Sequence, residues 1–511
     1  MKKLLILIFI FCLGYSCYAK TYSLQNTQIS LTIEIQDNNL TQITSLKNLK
    51  TKQEFLRGVP KNGSLWAFTV KKDRQYSSDP IELNNLNATE VEVNETKNSL
   101  TLFYKQVTAP EITDKFDVIC NIELKEDNTY WTIEILGSKE YGIWEVTYPF
   151  VRGLYCESGD NFYMPWHGDV FITEFDNEKG FEAPFSDNPE VYTKHFEWQT
   201  PVMVQYTSLT KGKTTFYYSP EDTEVVYKNF QINYDNPNEF SVYIAYSPEN
   251  MGQAGYDYKQ KNKLNISLIE GDWWSAAKKY RKWGIENNYA PFSKGLLEKR
   301  EDVPQWWKEL CVCTQGWVQA DDITEAIIRT KKEFKDIPVL YQVYGLNGYT
   351  YDTHYPKFLP FNEKGLENLK KIKEAGLLII PYTNGRLADK ALNEKVKNAP
   401  EKYLVKTDKG ENIYEPWAKE AGADNNMACI ESEYYNDYLN EVTEMFKTFP
   451  FDGLYIDQVG GCVGTPCFDE GHNHPVGGGD YFTKGYNKHT DQSPLLRAIL
   501  QNVSFFSMNP L

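Results

Sequence analysis

Hydrophobic and polar residues alternate one by one along most of the first half of the chain. In Gln28–Ile35, for example, an isoleucine or leucine occupies every second position. Side chains of a β-strand point alternately to opposite faces, so this pattern indicates strands with one buried face. Polar turn-forming stretches such as Lys125–Asn128 separate the alternating segments. We therefore predict a large antiparallel β-sandwich over residues 20–270.

The period of the hydrophobic pattern changes after residue 270. Asp272 can cap a helix whose apolar residues, from Trp273 to Trp283, fall on one face, and we predict a helical linker over residues 271–305. From residue 306 onward, apolar strands alternate with amphipathic helices. The predicted strands are Leu310–Thr314, Pro338–Tyr344, Leu377–Tyr382 and Phe451–Asp457. The predicted helices between and after them are Asp321–Phe334, Asn362–Ala375, Ser432–Thr448 and Pro494–Val503.

This strand–helix order predicts a parallel sheet, and we expect a (β/α)8-type barrel over residues 306–511. The fold class is therefore multidomain, with an antiparallel β part followed by an α/β part. Only about half of a barrel of roughly 250 residues is present. We expect a barrel that is truncated at its C-terminal end, and the alternative is a fold smaller than a barrel.

The first 19 residues have the pattern of a secretory signal peptide. Two lysines precede the apolar run Leu4–Leu13, and small residues follow up to Ala19. The run is too short to span a bilayer, and no later run is long enough for a membrane helix. We expect a secreted protein, in the periplasm or on the outer cell surface. Cys17 after Gly14-Tyr15-Ser16 leaves open a lipoprotein-type processing and a lipid anchor.

Composition narrows the class of ligand. The formal net charge of −16 argues against binding to nucleic acid. The 36 tyrosines suit a carbohydrate ligand, because flat amphipathic rings can stack on sugars and bond to hydroxyls. Seven of the nine cysteines follow the signal peptide, and this odd, scattered set does not form a disulfide framework, although Cys462 and Cys467 could pair locally. No motif for an organic cofactor is present.

Asp457 ends the most clearly bounded of the predicted strands. An aspartate at this point also suits a simple turn, but active sites of barrels lie at the C-terminal ends of the strands. Polar and aromatic residues follow all four strands, which favours a site for hydroxyl-rich ligands. They are Gln315, Trp317 and Gln319; Tyr344, Asn347, Tyr349, Tyr351, Asp352, His354 and Tyr355; Tyr382, Asn384, Arg386 and Asp389; and Asp457 and Gln458.

Glycosidic cleavage requires two carboxyl groups, and Asp457 is our candidate nucleophile. Asp352 and Asp389 also lie at the predicted rim, but neither fits the role of the acid well. We expect the acid on a later strand, beyond Leu511. Predicted substrate contacts are Trp317, Asn347, Tyr351, Asp352, Tyr382, Asn384, Arg386, Gln458, His472 and His474.

The loop from Cys462 to Asp480 holds two cysteines and two histidines. The spacing between His472 and His474 is shorter than in zinc fingers, and no helix separates the cysteine and histidine pairs. We therefore predict no metal site and expect the histidines to contact substrate, and a structural zinc site is the less favoured alternative. The glycines 477–479 permit close approach of the backbone, but no Lys-Ser/Thr follows them, which excludes a phosphate-binding loop.

Several of these segments together resemble a family of secreted bacterial glycoside-hydrolase-like proteins with a domain of unknown function. The resemblance rests on Phe451–Gly461, on Cys467-Phe468-Asp469, on the run from Gly471 to Gly479, on Tyr382–Arg386 and on Tyr355–Pro360. Leu24-Gln25-Asn26 and Ile43–Leu56 resemble a galactose-mutarotase-type sandwich, and Gly271–Trp283 its connector helix.

The resemblance implies a β-supersandwich over residues 20–270 followed by a catalytic barrel similar to those of retaining α-glycosidases. It places Asp457 at the nucleophile position and implies further strands and a second acidic residue beyond Leu511. The leading hypothesis is a glycoside hydrolase acting on oligo- or polysaccharides. The alternatives are a carbohydrate-binding protein without catalysis and, with less support, a polysaccharide lyase.

Overall fold

The structure is a computed structural model that describes residues 19–57, 63–166, 169–174, 195–199, 204–236, 239–289, 294–459, 464–492 and 504–506. Antiparallel strands fill its first half. They are β1 (Lys20–Gln25), β2 (Ile29–Ile35), β3 (Thr41–Asn48), β4 (Ala67–Lys72), β5 (Ile81–Asn84), β6 (Glu90–Glu95), β7 (Ser99–Val107), β8 (Phe116–Lys125), β9 (Asn128–Leu136), β10 (Tyr141–Thr147), β11 (Val151–Tyr155), β12 (Asn161–Trp166), β13 (Asp169–Glu174), β14 (His195–Gln199), β15 (Thr207–Lys211), β16 (Thr214–Ser219), β17 (Lys228–Asn236), β18 (Glu239–Tyr246), β19 (Tyr258–Lys259) and β20 (Leu264–Glu270).

These strands form three sheets. One has the order β1-β2-β3, a second β14-β17-β18-β10-β4-β5 with β11 on β18, and a third β13-β12-β15-β16-β20-β9-β8-β7-β6 with β19 on β9. Burial alternates along β2, as the sequence pattern predicts. Leu31, Phe68 and Leu102, one from each sheet, belong to a single hydrophobic core. The predicted sheet-rich N-terminal part is therefore confirmed.

The seven helices within the described residues are α1 (Trp273–Glu286), α2 (Gln305–Lys308), α3 (Asp321–Phe334), α4 (Glu363–Glu374), α5 (Glu394–Asn398), α6 (Tyr434–Thr448) and α7 (Tyr481–Gln492). The Asp272 side chain accepts hydrogen bonds from the backbone N–H groups of Trp274 and Ser275, as expected of a helix cap. Helix α1 buries Tyr280 and Trp283 in an aromatic cluster with Tyr217 of β16. It is therefore packed against the third sheet. No helix in the described part of the chain is long and apolar enough to cross a membrane.

Parallel pairing begins after the predicted linker. Strands β21 (Val312–Trp317), β22 (Val339–Tyr344), β23 (Leu378–Asn384), β26 (Gly453–Asp457) and β27 (Ser504–Phe506) form one sheet in that order. All four strand pairs are parallel. The insertion before α6 adds β24 (Leu387–Asp389) and β25 (Asn425–Met427), which pair antiparallel.

Two elements at the C-terminal end differ from the prediction. Residues 504–506, for which no element was predicted, pair with Gly453–Tyr455 of β26. Helix α7 lies between the loop that ends at Asp480 and the predicted helix Pro494–Val503, where no helix was predicted. The predicted helix Pro494–Val503 lies outside the described residues. The described residues include five parallel strands, so the closure of the sheet into an eight-stranded barrel stays a prediction.

The two faces of the parallel sheet are covered differently. Helices α3, α4 and α6 pack on one face, where Ile327, Leu369 and Val442 join Tyr341 and Ile379 in a hydrophobic core. On the other face lies a smaller apolar group formed by Leu340, Ile380 and Tyr455, with Trp306 and Trp307 beside it. Side chains alternate between the two faces along each strand. The last residues of neighbouring strands that point to this second face therefore lie together at one rim of the sheet.

Candidate active site

A row of aromatic rings crosses four parallel strands at their C-terminal ends. Trp317 of β21 pairs in register with Tyr344 of β22, and Tyr382 of β23 pairs with Tyr455 of β26. The ring centroids of Trp317 and Tyr344 are 6.4 Å apart, those of Tyr344 and Tyr382 are 5.3 Å apart, and those of Tyr382 and Tyr455 are 5.7 Å apart. These spacings fit offset aromatic contacts, so the row forms a continuous floor.

Two carboxylates lie at this floor, and one tyrosine hydroxyl connects them. The Tyr382 hydroxyl donates to Asp457 Oδ2 at 2.9 Å and lies 3.4 Å from Asp352 Oδ1. The two carboxylate oxygens are therefore no more than about 6.3 Å apart. Asp457 Oδ1 also accepts a bond of 3.3 Å from the Tyr455 hydroxyl, and Asp352 Oδ1 accepts one from Tyr355. We call Asp352, Asp457 and the tyrosines 344, 351, 355, 382 and 455 the tyrosine pocket.

The surroundings of Asp352 favour its protonated form. Burial raises the pKa of the Asp352 carboxyl above its ordinary value, and the nearby charge of Asp457 adds to the rise. Hydrogen bonds from Tyr355 and Tyr382 oppose it. Burial likewise raises the pKa of Tyr382, so its hydroxyl stays a hydrogen-bond donor. The pocket thus combines two different carboxyl groups. Asp457 accepts hydrogen bonds from two tyrosine hydroxyls, and Asp352 holds its proton more tightly than an ordinary aspartate.

Backbone conformation at the rim is unusual. Asp352, His354 and Gln458 have φ angles of 59°, 66° and 64°, in the left-handed region that residues other than glycine seldom adopt. Such conformations persist only where the surrounding structure holds them, and they cluster at functional sites. The His354 N–H donates to Asp389 Oδ2 at 2.8 Å, which fixes the end of the Asp352 loop.

Asp389 has a closed, structural environment. Its Oδ1 accepts backbone N–H bonds from Ala391, Leu392 and Asp424 at 3.0–3.1 Å, and the whole residue is buried. It therefore supports the loops of the insertion and leaves Asp352 as the carboxyl group next to Asp457.

The other predicted contact residues fall into three groups, and the first consists of Tyr351, Asn347 and Gln458. Tyr351 lies in the pocket, with ring centroids 5.0 Å from Trp317 and 5.3 Å from Tyr382. Asn347 lines a cavity of about 20 Å³ behind these rings, which has room for about one water molecule. Gln458 follows Asp457 directly, and its buried Oε1 accepts no hydrogen bond from any residue that the structure describes.

Asn384 and Arg386 are instead turned into the protein. Asn384 Oδ1 accepts the backbone N–H bonds of Arg386 and Leu387, both at 2.9 Å, and so closes a turn. The buried Arg386 guanidinium forms an ion pair of 3.3 Å with Glu415. Both residues therefore shape the turn after β23. From the sequence, a polar residue at a strand end could have either this role or a role in substrate contact.

Trp417 is a rim residue that the sequence reasoning missed. Its side chain is 50% exposed, and its indole N–H donates to Glu415 at 3.1 Å. Asn425 Nδ2 donates to the backbone oxygens of both Asp352 and Trp417, at 2.7 and 3.0 Å. The backbone at Trp417 is thus tied through Asn425 to the loop that carries Asp352. Trp417 lies in the long insertion rather than directly after a strand, and only its large aromatic side chain could have suggested it.

His472 and His474 lie in a different group of side chains. His474 Nε2 is 3.3 Å from Cys429 Sγ, and His472 Nδ1 is 3.5 Å from Cys467 Sγ. We call these four residues the Cys–His cluster. Cys429, from a separate loop, joins Cys467 and both histidines in a group of side chains that could hold a metal ion. The expectations of no metal site and of substrate contact by the two histidines stay predictions. The proposed local partner of Cys467, Cys462, lies outside the described residues.

Fold and site together define a class of two-part protein in which antiparallel sheets precede a parallel sheet with carboxylates and aromatic rings at its rim. Residues 258–501 match the model of a family described as a domain of unknown function, DUF6259. A putative glycoside hydrolase from Bacteroides thetaiotaomicron is 29% identical over 243 residues, which cover 46% of this chain and 35% of that protein. A putative glycoside hydrolase from Monosiga brevicollis is 24% identical over 277 residues, which cover 48% of this chain and 23% of that protein.

The fold has a counterpart among solved structures. An α-N-acetylgalactosaminidase from Bifidobacterium bifidum aligns with a TM-score of 0.65 and 14% identity, covering 95% of this chain and 76% of that one. The predicted resemblance to glycoside-hydrolase-like proteins with a domain of unknown function is confirmed by these comparisons. The matches cover about a third and a quarter of the length of the two putative hydrolases.

Proposed function

We propose that this protein is a secreted glycoside hydrolase that retains the configuration of the anomeric carbon, with Asp457 as the nucleophile. The observation that carries the proposal is the pair formed by Asp457 and Asp352 around the Tyr382 hydroxyl, above a floor of aromatic rings. The putative glycoside hydrolases among the relatives support the reaction class. The signal-like residues 1–19 support export to the periplasm or outer surface, with lipidation of Cys17 as the form of anchorage if it is processed as a lipoprotein.

In the proposed reaction, Asp457 forms a bond to the anomeric carbon while the glycosidic C–O bond breaks. A general acid, either Asp352 or a second acidic residue, gives its proton to the leaving oxygen. Water then cleaves the resulting glycosyl ester and releases the sugar. Hydrogen bonds from Tyr382 and Tyr455 hold the attacking carboxylate in position, and such positioning lowers the entropic part of the barrier. We also propose that the parallel strands around this site belong to a (β/α)8-type barrel.

Asp352 has a separate part in the proposal. Because burial keeps its pKa raised, its carboxyl group can donate a hydrogen bond to an oxygen of the sugar bound beside Asp457. Its oxygen lies within about 6.3 Å of an Asp457 oxygen, less than the roughly 6.5–9.5 Å between the carboxyl groups of inverting enzymes. The exposed indoles of Trp317 and Trp417 are the proposed stacking surfaces for sugar rings.

The test is turnover of a panel of p-nitrophenyl glycosides and mucin-type and plant glycans by the full chain. The panel includes the α-N-acetylgalactosaminide, because the enzyme with the similar fold is an α-N-acetylgalactosaminidase. We expect Asp457→Asn to lower kcat by about 10⁴-fold on any substrate that is cleaved. Asp452→Asn is the matched control, because Asp452 lies at the opposite end of β26 and bonds to the backbone of Ile379. NMR of the first-formed sugar gives the anomeric outcome.

A comparison of two substrates shows which oxygen of the sugar interacts with Asp352. If it protonates the leaving oxygen, Asp352→Asn cleaves a dinitrophenyl glycoside almost normally but loses activity on natural glycosides. An equal loss on both substrates means that Asp352 binds a hydroxyl of the sugar. Unchanged turnover in Asp457→Asn removes the nucleophile assignment, and glycan binding without any product favours the alternative of a non-catalytic carbohydrate-binding protein.

A further inference from the structure

The Cys–His cluster has the dimensions of a tetrahedral metal site. One ligand atom from each of Cys429, Cys467, His472 and His474 lies within 4.8 Å of all the others. Zinc bonds of about 2.3 Å to sulfur and 2.0–2.1 Å to nitrogen place tetrahedral ligand atoms about 3.3–3.8 Å apart. The two sulfur–nitrogen distances, 3.3 and 3.5 Å, fall in this range.

Hydrogen bonds of the two histidines orient their lone pairs toward the sulfur atoms. His472 Nε2 lies 3.0 Å from the backbone oxygen of Glu401, and His474 Nδ1 lies 2.7 Å from that of Pro475. A carbonyl oxygen only accepts, so these nitrogens carry the protons in the neutral rings. The opposite nitrogens, His472 Nδ1 and His474 Nε2, then present lone pairs to the cysteines. Metal-binding histidines are held in this way by a bond from the second nitrogen.

We propose that Cys429, Cys467, His472 and His474 bind one structural Zn²⁺ ion. Two sulfur and two imidazole ligands in a tetrahedral arrangement select zinc over hard cations such as Mg²⁺ and Ca²⁺, which take oxygen ligands. Four protein ligands leave no coordination position for substrate, which is the pattern of a structural rather than a catalytic site. Both cysteines are buried, so the sulfur side of the site is closed to solvent. The proposal does not depend on the proposed glycosidase activity.

The ion would fix the loop that follows β26 to the segment that follows β25. Cys429 lies shortly after β25, whereas Cys467, His472 and His474 lie in the β26–α7 loop. The neighbouring Phe468 stacks on Trp144 of β10, with centroids 5.1 Å apart. The backbone N–H of Gly478 donates to the Pro248 oxygen of the antiparallel half at 3.0 Å. Zinc at this point would therefore hold the loop after the candidate nucleophile at the place where this loop contacts the antiparallel half.

Metal content of the tag-free full chain, measured by inductively coupled plasma mass spectrometry, tests the proposal. We expect about one zinc per chain, lost in Cys429→Ser and in His474→Gln. The matched controls Cys313→Ser and His354→Gln alter an exposed cysteine and a histidine outside the cluster and should keep the metal. A wild type without zinc after refolding with ZnCl₂, or a Cys429–Cys467 disulfide found by mass spectrometry and thiol titration, overturns the proposal.

A second measurement covers variants that fail to fold. Wild-type protein is stripped with a chelator, checked by circular dichroism, and loaded with Co²⁺. Sulfur-to-cobalt charge-transfer absorption and tetrahedral cobalt bands are expected, with displacement by one equivalent of Zn²⁺. Chelation should lower the thermal midpoint of the wild type and of Cys313→Ser alike, and zinc should restore it. Octahedral cobalt bands, or an unchanged midpoint after complete removal of zinc, contradict a structural Cys–His site.

Discussion

The tyrosine pocket and the Cys–His cluster follow the same strand, β26, but their polar atoms are paired to different degrees. In the pocket, two carboxylates lie near one hydroxyl, and the pKa of Asp352 is raised. Next to Asp457 in the chain, the buried Gln458 Oε1 accepts no bond from the described residues. In the cluster, each histidine nitrogen faces either a sulfur or a carbonyl oxygen. Incomplete pairing is costly unless a ligand completes it, whereas closed networks stabilise the fold. We infer that changes in the pocket lower turnover and that changes in closed regions lower stability.

Gly478→Ala should produce the largest effect, and it should be an effect on stability. A Cβ atom at Gly478 would overlap the backbone oxygen and carbon of Ser247, which cannot move aside like a flexible side chain. We expect a loss of about 3 kcal/mol in the free energy of unfolding, measured by chemical denaturation. Gly471→Ala is the control, because its Cβ would meet only the Asp469 side chain. Equal stability of the two variants would mean that the junction around the cluster is not rigid.

Tyr382→Phe should have the next largest effect, and here turnover should change rather than stability. The substitution keeps the ring contacts with Tyr344 and Tyr455 but removes the hydroxyl that donates to Asp457. Loss of one positioned donor lowers kcat by about 10²-fold. Tyr349→Phe is the control, since Tyr349 contacts His354 through its ring. A large drop in thermal midpoint without a drop in kcat per folded molecule would assign Tyr382 to the closed, structural regions.

Asp389→Asn should lower stability rather than turnover, the opposite of the result expected for Tyr382→Phe. The Asp389 carboxylate accepts four backbone N–H bonds, and an amide would replace one accepting oxygen with a donor facing another donor. We expect a loss of about 2 kcal/mol in the free energy of unfolding. Asp336→Asn, at an exposed position, should leave stability unchanged. Normal stability of Asp389→Asn together with lost turnover would show that Asp389 belongs functionally to the pocket.

Part of the parallel half follows from the sequence because its elements are locally encoded. Each of the four predicted strands overlaps one of β21, β22, β23 and β26, since an apolar run bounded by turn residues is a local signal. Strand β27 has three residues, too few for a period to be recognised. Its partner β26 lies about fifty positions earlier in the chain. Pairing between strands so far apart in the chain cannot be recognised from the hydrophobic pattern of a few neighbouring residues.

The candidate site shows the same division between local and long-range information. The C-terminal ends of parallel strands meet at one edge, so the placement of Asp457 beside the Asp352 loop could be predicted. The inward turn of Asn384 and Arg386 could not, because their bonds to Leu387 and Glu415 depend on the folded turn. Cys429 lies 38 positions before Cys467, so no spacing rule connects it to the histidines.

Asp352→Asn should give the smallest effect and the most specific one, a gain in stability that depends on pH. Below the ordinary pKa of an aspartate, both the folded and the unfolded chain hold the proton. As the pH rises, the unfolded chain loses its proton first because the folded pKa is raised, so the folded state loses stability until the pH passes that raised value. Asparagine does not titrate and avoids this loss. The thermal midpoint of the variant should therefore exceed that of the wild type at pH 7 and match it near pH 3. Asp336→Asn should show no such difference. A gain that is the same at both pH values would mean that Asp352 keeps an ordinary pKa, and the raised pKa would then no longer distinguish the pocket from the closed regions.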